Sequence, residues 1–139
     1  MRSEALEHAD ADSLVGRWGL RRDTAMAVLE TDRIVRCWMA ACGVRWPGLY
    51  IISGYRTRPV ESSLSPDRTP ARRSLHMARQ LGQPASLAVD LRVGNLPAST
   101  TPDEIWGLVA SAWKLAAPGG RWGGEFTDPD VNHFDMGGL

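Results

Sequence analysis

Lysine is nearly missing from this 139-residue chain: Lys114 stands alone, and the other fifteen of its sixteen basic side chains are arginine. Arginine favours bidentate carboxylate and phosphate contacts, although genomic codon bias produces the same skew. Net charge is missing too, because sixteen acidic residues balance the sixteen basic ones. That balance argues against bulk electrostatic binding to nucleic acid or an anionic membrane, which needs a clearly basic face. No apolar run approaches the roughly 20 residues of a membrane span. Residues 1–15 carry Glu4, Glu7, Asp10 and Asp12 and lack the apolar stretch of a signal peptide. Two cysteines, Cys37 and Cys42, cannot build a disulfide framework. Five apart on a helical stretch, they point to different faces and are expected to be reduced core residues. Histidine is equally scarce, with only His8, His76 and His133. Any site built from histidine must therefore use most of them.

What is present reads as one domain. A chain of this length should bury roughly 65–70% of the surface that its unfolded form exposes, so residues 1–139 are expected to form a single domain, with the first dozen loosely held. A short helix is expected around Leu14–Leu20. From Asp23, a potential cap, Met26, Leu29, Val35, Trp38, Met39 and Cys42 fall near helical spacing, with Gly43 as the stop. Leu49 to Ser53 is a short apolar run of β-formers and reads as a buried strand. Residues 57–73 hold three prolines, four arginines and three serines, the composition of a surface loop, and its length suggests a lid. A second strand is expected over Leu87–Val93. Thr101, Pro102 and Glu104 have the spacing of a capping box, followed by an apolar face of Ile105, Leu108, Val109, Ala112, Trp113 and Ala116 and a stop at Pro118-Gly119-Gly120. The tail predicts two short strands, Arg121–Phe126 and His133–Met136, around a turn at 127–132. Interspersed helices and short turn-linked strands favour an α+β fold.

The chemistry sits beside two of the histidines. His76 follows the long loop; Asp90 lies inside an apolar strand, where an ionisable carboxylate is costly unless it is paired or bound to metal. His133 opens the last strand, with Asp130 three residues upstream. Two imidazoles and one carboxylate from separate segments form a catalytic zinc set that leaves the fourth tetrahedral position for water. A second carboxylate, Asp130, is placed to accept a proton as that water attacks a carbonyl. Each residue alone also has a plainer reading: His76 as a polar loop residue, His133 as a satisfied surface histidine, Asp90 as the partner of an arginine. His8 has no motif around it and reads as a surface residue.

In order along the chain stand Ser53-Gly54-Tyr55-Arg56-Thr57, Ser74-Leu75-His76, Ala88-Val89-Asp90-Leu91, and Trp122-Gly123-Gly124-Glu125-Phe126 through Asp130-Val131-Asn132-His133-Phe134. These pieces, over residues 49–136, resemble the zinc D-Ala-D-Ala carboxypeptidase and L-alanyl-D-glutamate endopeptidase family, relatives of the hedgehog fold. The resemblance implies an α+β domain whose small antiparallel sheet bears the zinc site, with helices packed against it. It implies zinc ligands at His76, Asp90 and His133 and a general base at Asp130. It further implies that Arg56 stabilises the scissile carbonyl and that Ser74 touches substrate. Trp122, in the stretch leading to the site, is a further candidate substrate contact. Glu125 competes with Asp130 for the base, and the family's position three residues before the last histidine favours Asp130.

One departure matters. The family writes Ser-x-His-x-x-Gly-x-Ala-x-Asp, whereas thirteen residues separate His76 from Asp90 here. Residues 78–86 therefore contain an insertion of seven, thermodynamically cheap in a loop but able to reshape the cleft. The implied activity is zinc-dependent hydrolysis of a peptide bond in peptidoglycan stem peptides. A monomer is expected, with no nucleic-acid partner and no membrane insertion. A short chain without signal peptide, anchor or wall-binding module resembles a phage endolysin, made in the cytoplasm and released onto the wall. The alternatives are a cytoplasmic D-Ala-D-Ala dipeptidase and a non-catalytic zinc-binding or phage structural protein that kept the fold.

Overall fold

Asp10 opens the first helix because its carboxylate accepts the Ser13 backbone N–H at 2.8 Å while the Ser13 hydroxyl accepts from the Asp10 N–H. This reciprocal cap starts α1 at Ala11 and carries it to Trp18, three residues earlier than the apolar pattern predicts. The computed structural model describes residues 5–56, 75–96 and 100–137; the loop read as a lid, and Ser74 with it, lie outside the described residues. Among those residues the fold is α+β. Three α-helices, α1, α2 (Arg22–Ala41) and α3 (Asp103–Ala116), accompany a four-stranded antiparallel sheet and a small hairpin. Among the described residues no helix is long and apolar enough to cross a membrane.

The sheet contains β1 (Leu49–Ser53), β4 (Ala88–Val93), β5 (Arg121–Trp122) and β6 (His133–Asp135) in the order β1-β4-β6-β5. Pleating sends alternate residues to opposite faces. Leu49, Ile51, Val89, Leu91, Val93 and Phe134 turn to one face and are essentially fully buried. There they join Val28 and Val35 of α2 and Val109 and Trp113 of α3 in one apolar core. The other face takes Asp90, His133 and Asp135, because Asp90 pairs with His133 across β4 and β6 and Ala88 with Asp135. One strand pair thus divides packing from chemistry.

Within α2 the buried stripe is Ala25, Val28, Thr31, Asp32 and Val35; of the expected face Val35 is fully buried and Leu29, Trp38 and Met39 pack against the core, while Met26 is 55% exposed. Cys37 and Cys42 are free but exposed, which corrects the core reading: in the same turns it is Val35, Trp38 and Met39 that face the apolar layer. The buried acid Asp32 accepts hydrogen bonds from the Trp46 indole and the Leu49 backbone N–H, both at 2.9 Å, and pairs with Arg36. It ties α2 to the first residue of β1. The expected capping box of α3 is not formed; Pro102 is the cap and no side chain caps the helix. Residues 5–12, expected to be loose, are docked: Ala5 bridges Tyr50 and Leu6 is 2% exposed.

Within the interval between His76 and Asp90 the chain folds as a hairpin, β2 (Arg79–Gln80) with β3 (Gln83–Pro84). Its two turn residues, Leu81 and Gly82, both have positive φ, 52° and 79°, as a tight antiparallel turn requires. Arg79 donates to the Tyr55 hydroxyl at 2.7 Å, so the hairpin leans on the segment between β1 and Arg56.

Candidate metal centre

Asp90, midway along β4, is brought to its partners by an irregularity in β1. Leu49, Tyr50 and Ile51 pair with Val93, Arg92 and Leu91 in regular steps, but Ser53 pairs with Asp90. Ile52 is the extra residue of a β-bulge and turns outward, 44% exposed. Without it Ser53 would face Val89 on the core side. With it, the Ser53 hydroxyl donates to Asp90 Oδ2 at 2.7 Å, and an Arg56 Nη donates to the same oxygen at 3.0 Å. The remaining oxygen, Asp90 Oδ1, is buried and accepts no hydrogen bond.

His76 is stapled between strand ends: Arg56 N–H donates to its carbonyl at 3.1 Å, and Leu87 N–H to the carbonyl of Leu75 at 2.9 Å. Its Nδ1 lies 2.8 Å from the Gly54 carbonyl. A carbonyl only accepts, so the ring proton sits on Nδ1 and the Nε2 lone pair is left facing the site. His133 is oriented the opposite way round. Its Nε2 lies 2.9 Å from Asp135 Oδ2, so that nitrogen carries the proton and Nδ1 presents the lone pair. Both rings are buried, and Phe126 covers His133 with its centroid at 5.6 Å.

These placements bring three donor atoms together. His76 Nε2 lies 3.3 Å from His133 Nδ1, and Asp90 Oδ1 lies 3.6 and 3.5 Å from the two nitrogens. Two lone pairs and a carboxylate oxygen converging at such distances repel one another unless a cation lies between them. This buried group could hold a metal ion, and Asp90 is salt-bridged to Arg56 at the same time. A proton on His133 relieves the same repulsion. Burial favours neutral His133, but the Asp135 and Asp90 carboxylates outweigh it and raise the imidazole above its ordinary value. Burial likewise favours protonated Asp90, yet His133 and His76 hold its carboxyl far below the usual carboxylate range.

The support behind His133 was not read from the sequence. Asp135 is fully buried, and its carboxylate accepts from Arg121 Nε and Nη2, His133 Nε2 and Gly137 N–H, all at 2.9 Å. Burial raises its pKa, but His133 and Arg121 bring it below the ordinary value. An ionised carboxylate behind a ligating imidazole fixes the tautomer and strengthens the ligand. The signal was present as His133-x-Asp135, two residues apart on one face of a strand.

The remaining expected residues separate. Arg56 is at the site, engaged with Asp90. Asp130 is fixed by its backbone, its N–H donating to Gly123 O at 2.8 Å and its carbonyl accepting from His133 N–H at 3.0 Å, in the turn that leads into His133. Glu125 is exposed and pairs with the sole lysine, Lys114, at 2.5 Å. Trp122 pairs with Phe134 in the sheet register, on the core side. Its indole donates to the Val131 carbonyl at 2.7 Å, so it braces the turn carrying Asp130. His8 is exposed, as expected. Neither a scan against protein-family models nor a search of curated proteins finds a match to this chain.

Proposed function

We propose that the chain is a zinc-dependent peptidase acting on a peptide bond of peptidoglycan stem peptides, of the L-alanyl-D-glutamate endopeptidase or D,D-carboxypeptidase type, on a hedgehog-like fold, serving host-cell lysis as a phage endolysin does. The observation that carries the metal is the donor triangle. A tetrahedral zinc about 2.1 Å from each of three ligands sets those ligand atoms about 3.4 Å apart, and the three edges here are 3.3, 3.5 and 3.6 Å. Two imidazoles and one carboxylate suit zinc by donor type, and three protein ligands rather than four mark a catalytic site. The orphaned Asp90 Oδ1 fits the same reading. The choice of substrate rests on the resemblance of the motifs around these ligands.

Zinc, when bound, supplies an acidified water and an electrophile for a carbonyl. The chain's own residues do the rest. Gly54 and Asp135 hold the two imidazoles in the tautomers that present lone pairs. Ser53 and Arg56 hold one oxygen of Asp90 and direct the other inward, and Arg56 adds positive charge beside the carbonyl of the peptide. Asp130, positioned by the turn before His133, takes the proton released during attack and returns it to the leaving amine.

Metal analysis combined with digestion of purified peptidoglycan tests the proposal. About one zinc per chain and new amine termini, with Asp130→Ala retaining zinc but losing at least about 100-fold in rate, is the expected result. Full activity in Asp130→Ala would remove that residue from the mechanism. Stoichiometric zinc without turnover would leave a zinc-binding module instead.

A further inference from the structure

Arg92 lies on β4 two residues beyond Asp90, so the pleat sets both side chains on the same face, about 6.7 Å apart along the strand. Directly across the register is Tyr50 of β1, and the Arg92 guanidinium carbon rests 4.2 Å from the centroid of the tyrosine ring. The ring itself is pinned. A Cβ on Gly94 would come within 2.8 Å of its Cε1 atom, and the Tyr50 backbone bridges Ala5. Two other guanidiniums of this face are engaged, Arg56 with Asp90 and Arg121 with Asp135. Arg92 has no ion pair among the described residues. Its neighbour Asp90 is committed already, Oδ2 to Ser53 and Arg56 and Oδ1 to the donor triangle.

A guanidinium stacked on an aromatic face keeps its planar fork of N–H donors at the edge, oriented and partly desolvated. The ligand that matches such a fork is a carboxylate bound through two parallel hydrogen bonds. An extended peptide advances about 3.3 Å per residue, so a group at Arg92 lies about two positions from a carbonyl at the donor triangle. We infer that Arg92, held on Tyr50, is a carboxylate subsite of the metal centre, selecting peptides with a free carboxylate about two backbone positions from the bond to be cut. This rests on the peptidase reading, and it names a feature of the substrate.

The experiment uses the full chain loaded with zinc and two acetylated L-alanyl-γ-D-glutamyl-L-lysine peptides. They differ only in the C-terminal carboxylate of the lysine, two residues beyond the alanyl–glutamyl bond, free in one and amidated in the other. NMR titration gives Kd for each peptide, and amine release gives kcat and KM. Wild type should bind the free acid at least about tenfold more tightly, the scale of one charge-assisted pair. Arg92→Gln should make the two peptides equivalent by weakening only the free acid, with zinc content unchanged, and Arg92→Lys should keep part of the preference. Equal Kd values in wild type, no binding of either peptide, or equal weakening of both in Arg92→Gln would overturn the subsite. Carboxylate-dependent binding without cleavage would sink the peptidase reading and leave the subsite standing. Cleavage of both peptides at equal KM would do the reverse.

Discussion

Replacing Asp135 with asparagine isolates the contribution of the group behind the metal centre. The substitution preserves shape but exchanges one acceptor oxygen for an N–H₂ inside a site where four donors converge at 2.9 Å. The amide oxygen can serve only one side of that arrangement. If it takes the Oδ1 position, facing Arg121 Nε and the Gly137 N–H, the amide N–H₂ meets both Arg121 Nη2 and His133 Nε2, and the imidazole nitrogen must then become the acceptor. The imidazole proton moves to Nδ1, the atom that lies 3.3 Å from His76 Nε2, and the lone pair for the metal is lost. If the oxygen faces His133 instead, an Arg121 N–H is left opposite another donor, a mismatch that costs about 1–3 kcal/mol. Loss of such support behind a ligating histidine typically lowers metal affinity 10–100-fold, equivalent to about 1.4–2.7 kcal/mol. Competition against a chromophoric chelator would measure zinc Kd for both proteins, with circular dichroism confirming that Asp135→Asn is folded. Arg121→Lys, which keeps the charge but loses the two-pronged contact, should fall between them. An unchanged zinc Kd in folded Asp135→Asn would refute the tautomer argument.

Two further outcomes follow from the same geometry. In metal-free protein, Asp90 and Asp135 are held below the ordinary carboxylate value, so their contribution to stability is complete above about pH 4 and is lost as pH falls through their folded values. His133 is held above its ordinary value, so its contribution is complete below about pH 6.5 and is lost as pH rises through its folded value. Tm of the chelator-treated protein should therefore peak on the acid side of neutrality, and a steady rise from pH 6 to 8 in a calorimeter would contradict these assignments. Gly123→Ala would place a Cβ 2.2 Å from the Asp130 carbonyl oxygen and 2.9 Å from His133 Cβ. Urea unfolding should show a loss of about 1–3 kcal/mol from overpacking, together with weaker zinc binding as the turn shifts under His133; wild-type values in both assays would show that the turn yields freely.

Much of the framework was legible because it is local. The apolar run of β1, the second strand and the stop at Pro118-Gly119-Gly120 follow from short-range pattern and turn chemistry, whereas of the expected strand Arg121–Phe126 only Arg121–Trp122 is extended, because Gly123–Glu125 winds into a 3-10 turn. Helix faces were less legible. In α2 the small residues Ala25 and Ala27 are buried while Met26 is exposed, because the close packing of α2 on α3 and the sheet rewards small side chains on the contact stripe. Asp32 was invisible as a core residue, since nothing nearby in the sequence announces that Trp46 and the Leu49 N–H will meet its carboxylate. The α3 cap failed for a local reason: the helix begins at Asp103, one residue later than a cap at Thr101 requires.

The sequence by itself determined which residue types were available for a site: with three histidines and a carboxylate lodged in an apolar strand, the choice of His76, Asp90 and His133 was narrow. It also determined that these residues lie on separate segments, which is why no short motif could establish that they meet. Tertiary structure decided the meeting, through an antiparallel register that sets Asp90 beside His133 and a bulge at Ile52 that turns Ser53 onto the same face. It also decided the tautomers, through Gly54 O and Asp135, and the fate of the long His76–Asp90 interval, absorbed as a hairpin whose ends are close in space. Register, bulge and tautomer depend on backbone atoms far apart in the chain, and side-chain identity alone does not encode where those atoms come together.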